Sequence, residues 1–162
     1  MKGVYALIMN VSKQVVVKTR TLGDSAFARG IWVYVGSALG TGSTRLDHRI
    51  KRHFSSAKKL HWHIDFLLER TGPPTGVIWA TTDRAMECQV AQALKQHADF
   101  QTGPSGFGSS DCIAACGSHV FRFAGDGEYG SVLSSLFLQL GLKPHSGIPE
   151  STDRTQSTGK NC

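Results

Sequence analysis

Residues 30–68, "GIWVYVGSALGTGSTRLDHRIKRHFSSAKKLHWHIDFLL", carry the switch that organises this chain. IWVYVGSA (31–38) is an apolar, β-branched run and reads as a strand. The glycine-bearing LGTGST breaks it, and residues 44–57 follow with helical spacing. Leu46, Ile50 and Phe54 recur at i, i+4 and i+8 as a buried stripe, while Arg45, Arg49 and His53 form a second stripe about 80–100° round the helix. The basic residues thus flank the core, which suits the lip of a cleft better than a solvated face. WHIDFLLER (62–70) is a second, short helix stopped by GPP at 72–74.

Working outward, GVYALIMN (3–10) and QVVVKT (14–19) are strand-like runs separated by polar VSK and read as a hairpin. TLGDSAFARG (21–30) reads as loop. VIWATT (77–82) predicts a strand and RAMECQVAQALKQH (84–97) a helix with Met86, Val90, Ala93 and Leu94 on one side. FQTGPSGFGSSD (100–111) reads as a glycine- and serine-rich loop, SHVFRF (118–123) as a strand and YGSVLSSLFLQL (129–140) as a last helix. From Lys143 there is little to bury, so residues 143–162 read as a disordered tail behind a domain at 1–142. Interspersed strands and helices predict a small α+β fold or an α/β/α sandwich.

A chain of 162 residues, 40% hydrophobic and 19% charged, fits one globular domain. Its net charge of +6 is unevenly placed: residues 1–70 hold 12 Lys and Arg against 4 Asp and Glu, and the remainder is slightly acidic. Such asymmetry points to a polyanionic partner, nucleic acid or an acidic membrane surface. No apolar run approaches the roughly 18–20 residues of a membrane span and no signal-peptide pattern opens the chain, so an intracellular, soluble protein is expected. LGTGS lacks the Lys and Ser/Thr of a phosphate-binding P-loop.

Cys88, Cys112, Cys116 and Cys162 form no CxxC pair and read as reduced thiols. Small buried thiols are the simpler reading of the first three, with a Cys₃His zinc site including His119 as the alternative. His61, His63 and Asp65 suggest a transition-metal site less well, because i and i+2 on a helix point about 200° apart.

Tyr5 in GVY and Tyr34 in YVG stand on two strands. Strand tyrosines are usually packing residues, but here they accompany Arg49 and His53 on one helix and Glu87 on another. Phosphodiester hydrolysis needs a base for water, a cation for the phosphate and commonly a hard divalent metal on a carboxylate; these residues can fill all three roles.

In this order, GVY (3–5), YVG (34–36), RIKRH (49–53) and a helix-borne Glu87 resemble the GIY-YIG nuclease superfamily. YVGSALG, HWHIDFLL, GFGSSDC and SHVF are similar to its Uri-type, endonuclease III-associated branch, over residues 2–124. The resemblance implies a three-stranded antiparallel sheet flanked by helices, with a further C-terminal strand and helix, and DNA cleavage dependent on Mg²⁺ or Mn²⁺. Tyr5 and Tyr34 would line the site, with Tyr5 the better placed to deprotonate water, and a nearby cation or metal would lower its pKa, about 10 when free. Arg49 would stabilise the pentavalent phosphate, His53 share proton transfer or bind phosphate, Glu87 bind the metal, and Ser37 face the phosphate. Arg45, Arg52, Lys58 and Lys59 would attract the DNA backbone, and His61 and His63 contact phosphate. The superfamily's late asparagine has no clear counterpart, and GFGSSDC stands in that region. A functional link to an endonuclease III-like glycosylase is implied, and DNA repair with it. The alternatives are a non-catalytic nucleic-acid-binding module, which the basic half alone would support, and a cysteine-dependent enzyme using Cys112 and His119.

Overall fold

The computed structural model describes residues 1–109, 112 and 116–150. In chain order the elements are β1 (Gly3–Val11), β2 (Val15–Thr19), β3 (Gly23–Phe27), β4 (Gly30–Ala38), α1 (Leu46–Phe54), α2 (His63–Thr71), β5 (Gly76–Thr81), α3 (Glu87–Gln96), β6 (Phe100–Thr102), β7 (Val120–Phe123), α4 (Tyr129–Gln139) and β8 (His145–Ser146). A 3₁₀ turn at Gly42–Thr44 leads into α1. The chain is an α+β domain whose main sheet runs β6-β7-β4-β1-β5-β8, antiparallel throughout. Strands β4, β1 and β5 are its centre, and shorter strands extend it on both sides.

Strand β1, GVYALIMNV, is buried along nearly its whole length. An uninterrupted apolar run of this kind belongs to a strand covered on both faces. Val4, Ala6 and Ile8 join Val33 and Val35 beneath α3 and α4, whereas Tyr5, Leu7 and Met9 join Trp32 and Tyr34 beneath α1 and α2. The sheet therefore divides two cores, and both motif tyrosines belong to the α1–α2 side.

The hairpin expected between β1 and β2 does not form. Both edges of β1 are taken by β4 and β5, so β2 pairs instead with β3, inside the segment read as loop. Only Ser25 and Phe27 of β3 turn inward, too few to mark a strand against Gly, Asp and Ser. Phe27 then packs edge-on against Trp32 and Phe107. The loop at 100–111 likewise contains a short strand, β6, paired with β7. The tail expected from Lys143 is ordered up to Glu150: Ser146 pairs with Ile78, His145 stacks on Trp79, and the Trp79 indole N–H donates to the Gly147 carbonyl at 2.8 Å. The rest of that expected tail, residues 151–162, lies outside the described residues, as do Ser110, Asp111 and residues 113–115. Among the described residues no helix is long and apolar enough to cross a membrane.

Helix α1 buries Leu46 and Ile50 as expected, but Phe54 is only partly covered and His53, assigned to the basic stripe, is buried at 1% exposure. Helices α1 and α2 are joined by Arg52, whose guanidinium makes two 2.9 Å hydrogen bonds to the buried Asp65 carboxylate. Asp65 also accepts the backbone N–H groups of His61 and Trp62, satisfying donors at the start of α2. These four bonds hold its carboxyl below the usual range against the opposing effect of burial, the largest influence on it. Asp65→Asn is expected to cost about 2–4 kcal/mol, since it removes the charge facing a partly buried cation. Urea unfolding measures this, and a loss below about 0.5 kcal/mol, the range of neutral surface changes, would show that the pair does not hold the two helices together.

Candidate active site

The Tyr-x-Gly spacing of β4 has a steric meaning. In the ladder Tyr5 stands opposite Gly36 and Tyr34 opposite Leu7, which puts both tyrosines on one face of neighbouring strands. A Cβ at Gly36 would lie 2.5 Å from the Tyr5 hydroxyl, so glycine is what lets that ring cross β4. Having crossed, Tyr5 Oη sits 2.8 Å from His53 Nε2 on α1. Tyr34 approaches the same imidazole edge-on, with ring centroids 6.3 Å apart.

Burial governs the charge state of this group. It raises the Tyr5 phenol well above its ordinary value, with Tyr34 adding to the effect and Arg49 opposing it. Tyr34 is raised for the same first reason, with Glu87 adding and Arg49 again opposing. The cation expected to lower the Tyr5 pKa thus acts in that direction but is outweighed. Burial also pushes His53 down to about 3, against the pull of Asp65 and helped by Lys58, Arg52 and Arg49. The two tyrosines and the histidine are consequently all neutral at neutral pH.

The site opens where β7 stops. Its pairing with β4 ends at Tyr34 opposite Val120, which leaves Gly36–Ala38 without a strand on that side among the described residues. Arg49 reaches this edge from α1 and donates to the Ser37 carbonyl at 2.6 Å. Glu87 reaches it from the first turn of α3, where Oε2 accepts the Ser37 hydroxyl at 2.6 Å and Oε1 lies 2.7 Å from His119 Nδ1. An anionic carboxylate is favoured there by the helix dipole. The result is a cleft of about 500 Å³ lined by Tyr5, Tyr34, Ser37, Arg49 and Glu87 among others. Of the five residues expected to be catalytic only His53 does not line it; it stands behind Tyr5.

Of the residues expected to meet DNA, Ser37, His61 and His63 line the cleft. His63 accepts the Gly108 N–H at Nδ1 (3.0 Å), so its proton sits on Nε2 and is donated to Thr21 Oγ1 at 2.6 Å. It therefore ties the GFG loop and the β2–β3 turn to α2. Arg45 pairs with buried Asp47 at 3.0 Å, and Arg52 with Asp65. Lys58 donates to the His53 and Ser55 carbonyls at the end of α1, and Lys59 is exposed. Arg45, Arg52 and Lys58 thus have intramolecular work that their charge alone does not disclose.

Two features were not anticipated, and a third was expected only as an alternative. Trp62 lies under both guanidiniums, 4.8 Å from Arg49 and 4.3 Å from Arg52, and lines the cleft; an aromatic set between two histidines was the signal for it. His119 touches Glu87. Cys88, Cys112, Cys116 and His119 come together, with one ligand atom of each within 4.8 Å of the others, so this cluster can hold a metal ion.

His53 makes stability depend on pH. Its folded-state pKa lies below the unfolded value of about 6.5, so as pH falls the unfolded chain takes up the proton first. Stability is complete above about 6.5 and declines from there towards 3, by at most about 1.4 kcal/mol per pH unit. Urea unfolding between pH 7 and about 5, above the range where the carboxylates of the unfolded chain begin to protonate, should show the decline in the parent and not in His53→Gln. Equal slopes in the two proteins would rule it out.

No curated protein matches the chain, and no solved structure does. A family model does match, over residues 4–142, which include every residue of the cleft: the chain belongs to the family described as Domain of unknown function DUF123.

Proposed function

We propose that this protein is a divalent-metal-dependent endonuclease of the GIY-YIG kind, hydrolysing a DNA phosphodiester, with repair as its setting. The observation that supports the reading is convergence: residues from β1, β4, α1 and α3, up to 82 positions apart in sequence, meet around one cleft as two tyrosines, a histidine, a guanidinium and a carboxylate.

The neutral Tyr5–His53 pair supplies the base. With its hydroxyl proton directed at Nε2, Tyr5 keeps its oxygen lone pairs for a water in the cleft. As the water oxygen bonds to phosphorus, its proton passes to Tyr5 Oη while the phenolic proton passes to His53. A full phenolate is thus avoided, and the imidazolium formed instead, which burial disfavours, is favoured by the Asp65 carboxylate. The P–O bond to the leaving sugar oxygen breaks as the new one forms, and that oxygen takes its proton from solvent water. Arg49 has one donor engaged by Ser37 and offers others, in a permanently charged plane, to the non-bridging oxygens whose charge grows in the transition state. Glu87 fits a hard cation such as Mg²⁺ or Mn²⁺: it is a part-exposed carboxylate facing the cleft, with lone pairs beyond those used by Ser37 and His119. Bound there, the metal would neutralise phosphate charge.

A non-catalytic DNA-binding module is the second reading, favoured by the excess of basic residues in the first 70 positions. Labelled abasic, uracil-containing, mismatched, flapped and intact duplexes with Mg²⁺, Mn²⁺ or EDTA separate the two. Metal-dependent cleavage is expected, reduced at least about 100-fold by Arg49→Ala or Glu87→Ala with circular dichroism unchanged. Salt-sensitive binding of every duplex with no cleavage would establish the module instead. Gly36→Ala should lower cleavage by displacing Tyr5, and a fully active variant would remove Tyr5 from the mechanism.

A further inference from the structure

Three sulfurs and one imidazole meet beside Glu87, and the reaction above uses none of them. Cys88 follows Glu87 on α3, while Cys112, Cys116 and His119 come from the segment ahead of β7. Cys88 Sγ and Cys112 Sγ are 3.3 Å apart as free thiols, and one ligand atom from each of the four residues falls within 4.8 Å of the others. Ligands on a tetrahedron with metal–sulfur bonds of about 2.3 Å stand about 3.8 Å from one another, so this spacing suits one small cation.

His119 gives an independent indication. The residue is 2% exposed, and its Nε2 has no hydrogen-bond partner among the described residues. A buried polar atom left this way is costly unless something outside the chain binds it. Its Nδ1 faces Glu87 Oε1 at 2.7 Å.

We propose that Cys88, Cys112, Cys116 and His119 form a tetrahedral Cys₃His centre for a thiophilic dication, zinc, with Glu87 as the carboxylate that orients the ligating histidine. Thiolate-rich tetrahedral sets select zinc over magnesium or calcium, and four protein ligands leave no open position, so the role is structural. Nε2 would ligate the metal and Nδ1–H would donate to Glu87, the usual second partner of a metal-bound histidine. The centre would fasten the start of α3, and with it Glu87, to the strand end beside the cleft. The thiols would be deprotonated on binding. This site goes beyond the endonuclease reading and does not depend on it.

The test uses the full chain isolated without chelator. Elemental analysis should find about one zinc per chain, and replacement by cobalt(II) should give the intense visible bands of a tetrahedral, sulfur-ligated ion. Cys116→Ser should lose the stoichiometric metal, whereas Cys162→Ser should keep it. Should Cys116→Ser fail to fold, the cobalt spectrum of the parent still decides. Glu87→Gln should retain the metal with affinity about 10–100-fold weaker. A metal-free parent that gives only pale octahedral cobalt spectra, or a Cys88–Cys112 disulfide in the isolated protein, would overturn the centre, and unchanged affinity in Glu87→Gln would remove Glu87 from it. Cleavage is not a readout, so an inactive zinc protein would count against the nuclease alone, and an active zinc-free one against this centre alone.

Discussion

Burial of β1 on both faces is the constraint from which the rest follows. A central strand with no polar side to spare must be covered by helices above and below, and its edges must be filled by β4 and β5. Polar machinery then has room only where strands end. The cleft lies there, at the margin of β4, where α1 from one layer and α3 from the other can both reach Ser37: Arg49 takes its carbonyl and Glu87 its hydroxyl. One residue of the sheet thereby spaces a cation and an anion that belong to separate cores.

How much of this could be read beforehand depended on whether a residue's role is local. Alternation and helical spacing placed the central strands and all four helices, because each carries its own apolar pattern. Tyr5, Tyr34, Arg49 and Glu87 could be nominated because ordered short motifs hold them. The β2–β3 pair could not, since it exists only because β1 has no free edge, a fact about partners far along the chain. Nor could the duties of Arg52 and Lys58: a basic residue looks the same in sequence whether it faces solvent or an aspartate 13 positions away. The cysteines and His119 offered a compact spacing, but only the fold brings Cys88 to the others.

The tyrosine–histidine group also shows how desolvation can overrule nearby charge. Five cations, Arg45, Arg49, Lys51, Arg52 and Lys58, stand on or beside α1, yet both phenols remain protonated because removal from water disfavours the phenolate more than Arg49 favours it. Both members of the hydrogen-bonded Tyr5–His53 pair are therefore neutral at neutral pH.

The outermost strands carry a different implication. The six-stranded sheet ends in β6, of three residues, and β8, of two, the latter pinned by the stacking of His145 on Trp79. Strands this short leave hardly any unpaired backbone for another chain to add to, which guards against edge-to-edge polymerisation. The little C-terminal strand therefore acts as a hem for the sheet, helping to keep a protein with a very apolar centre from growing into a larger sheet with its neighbours.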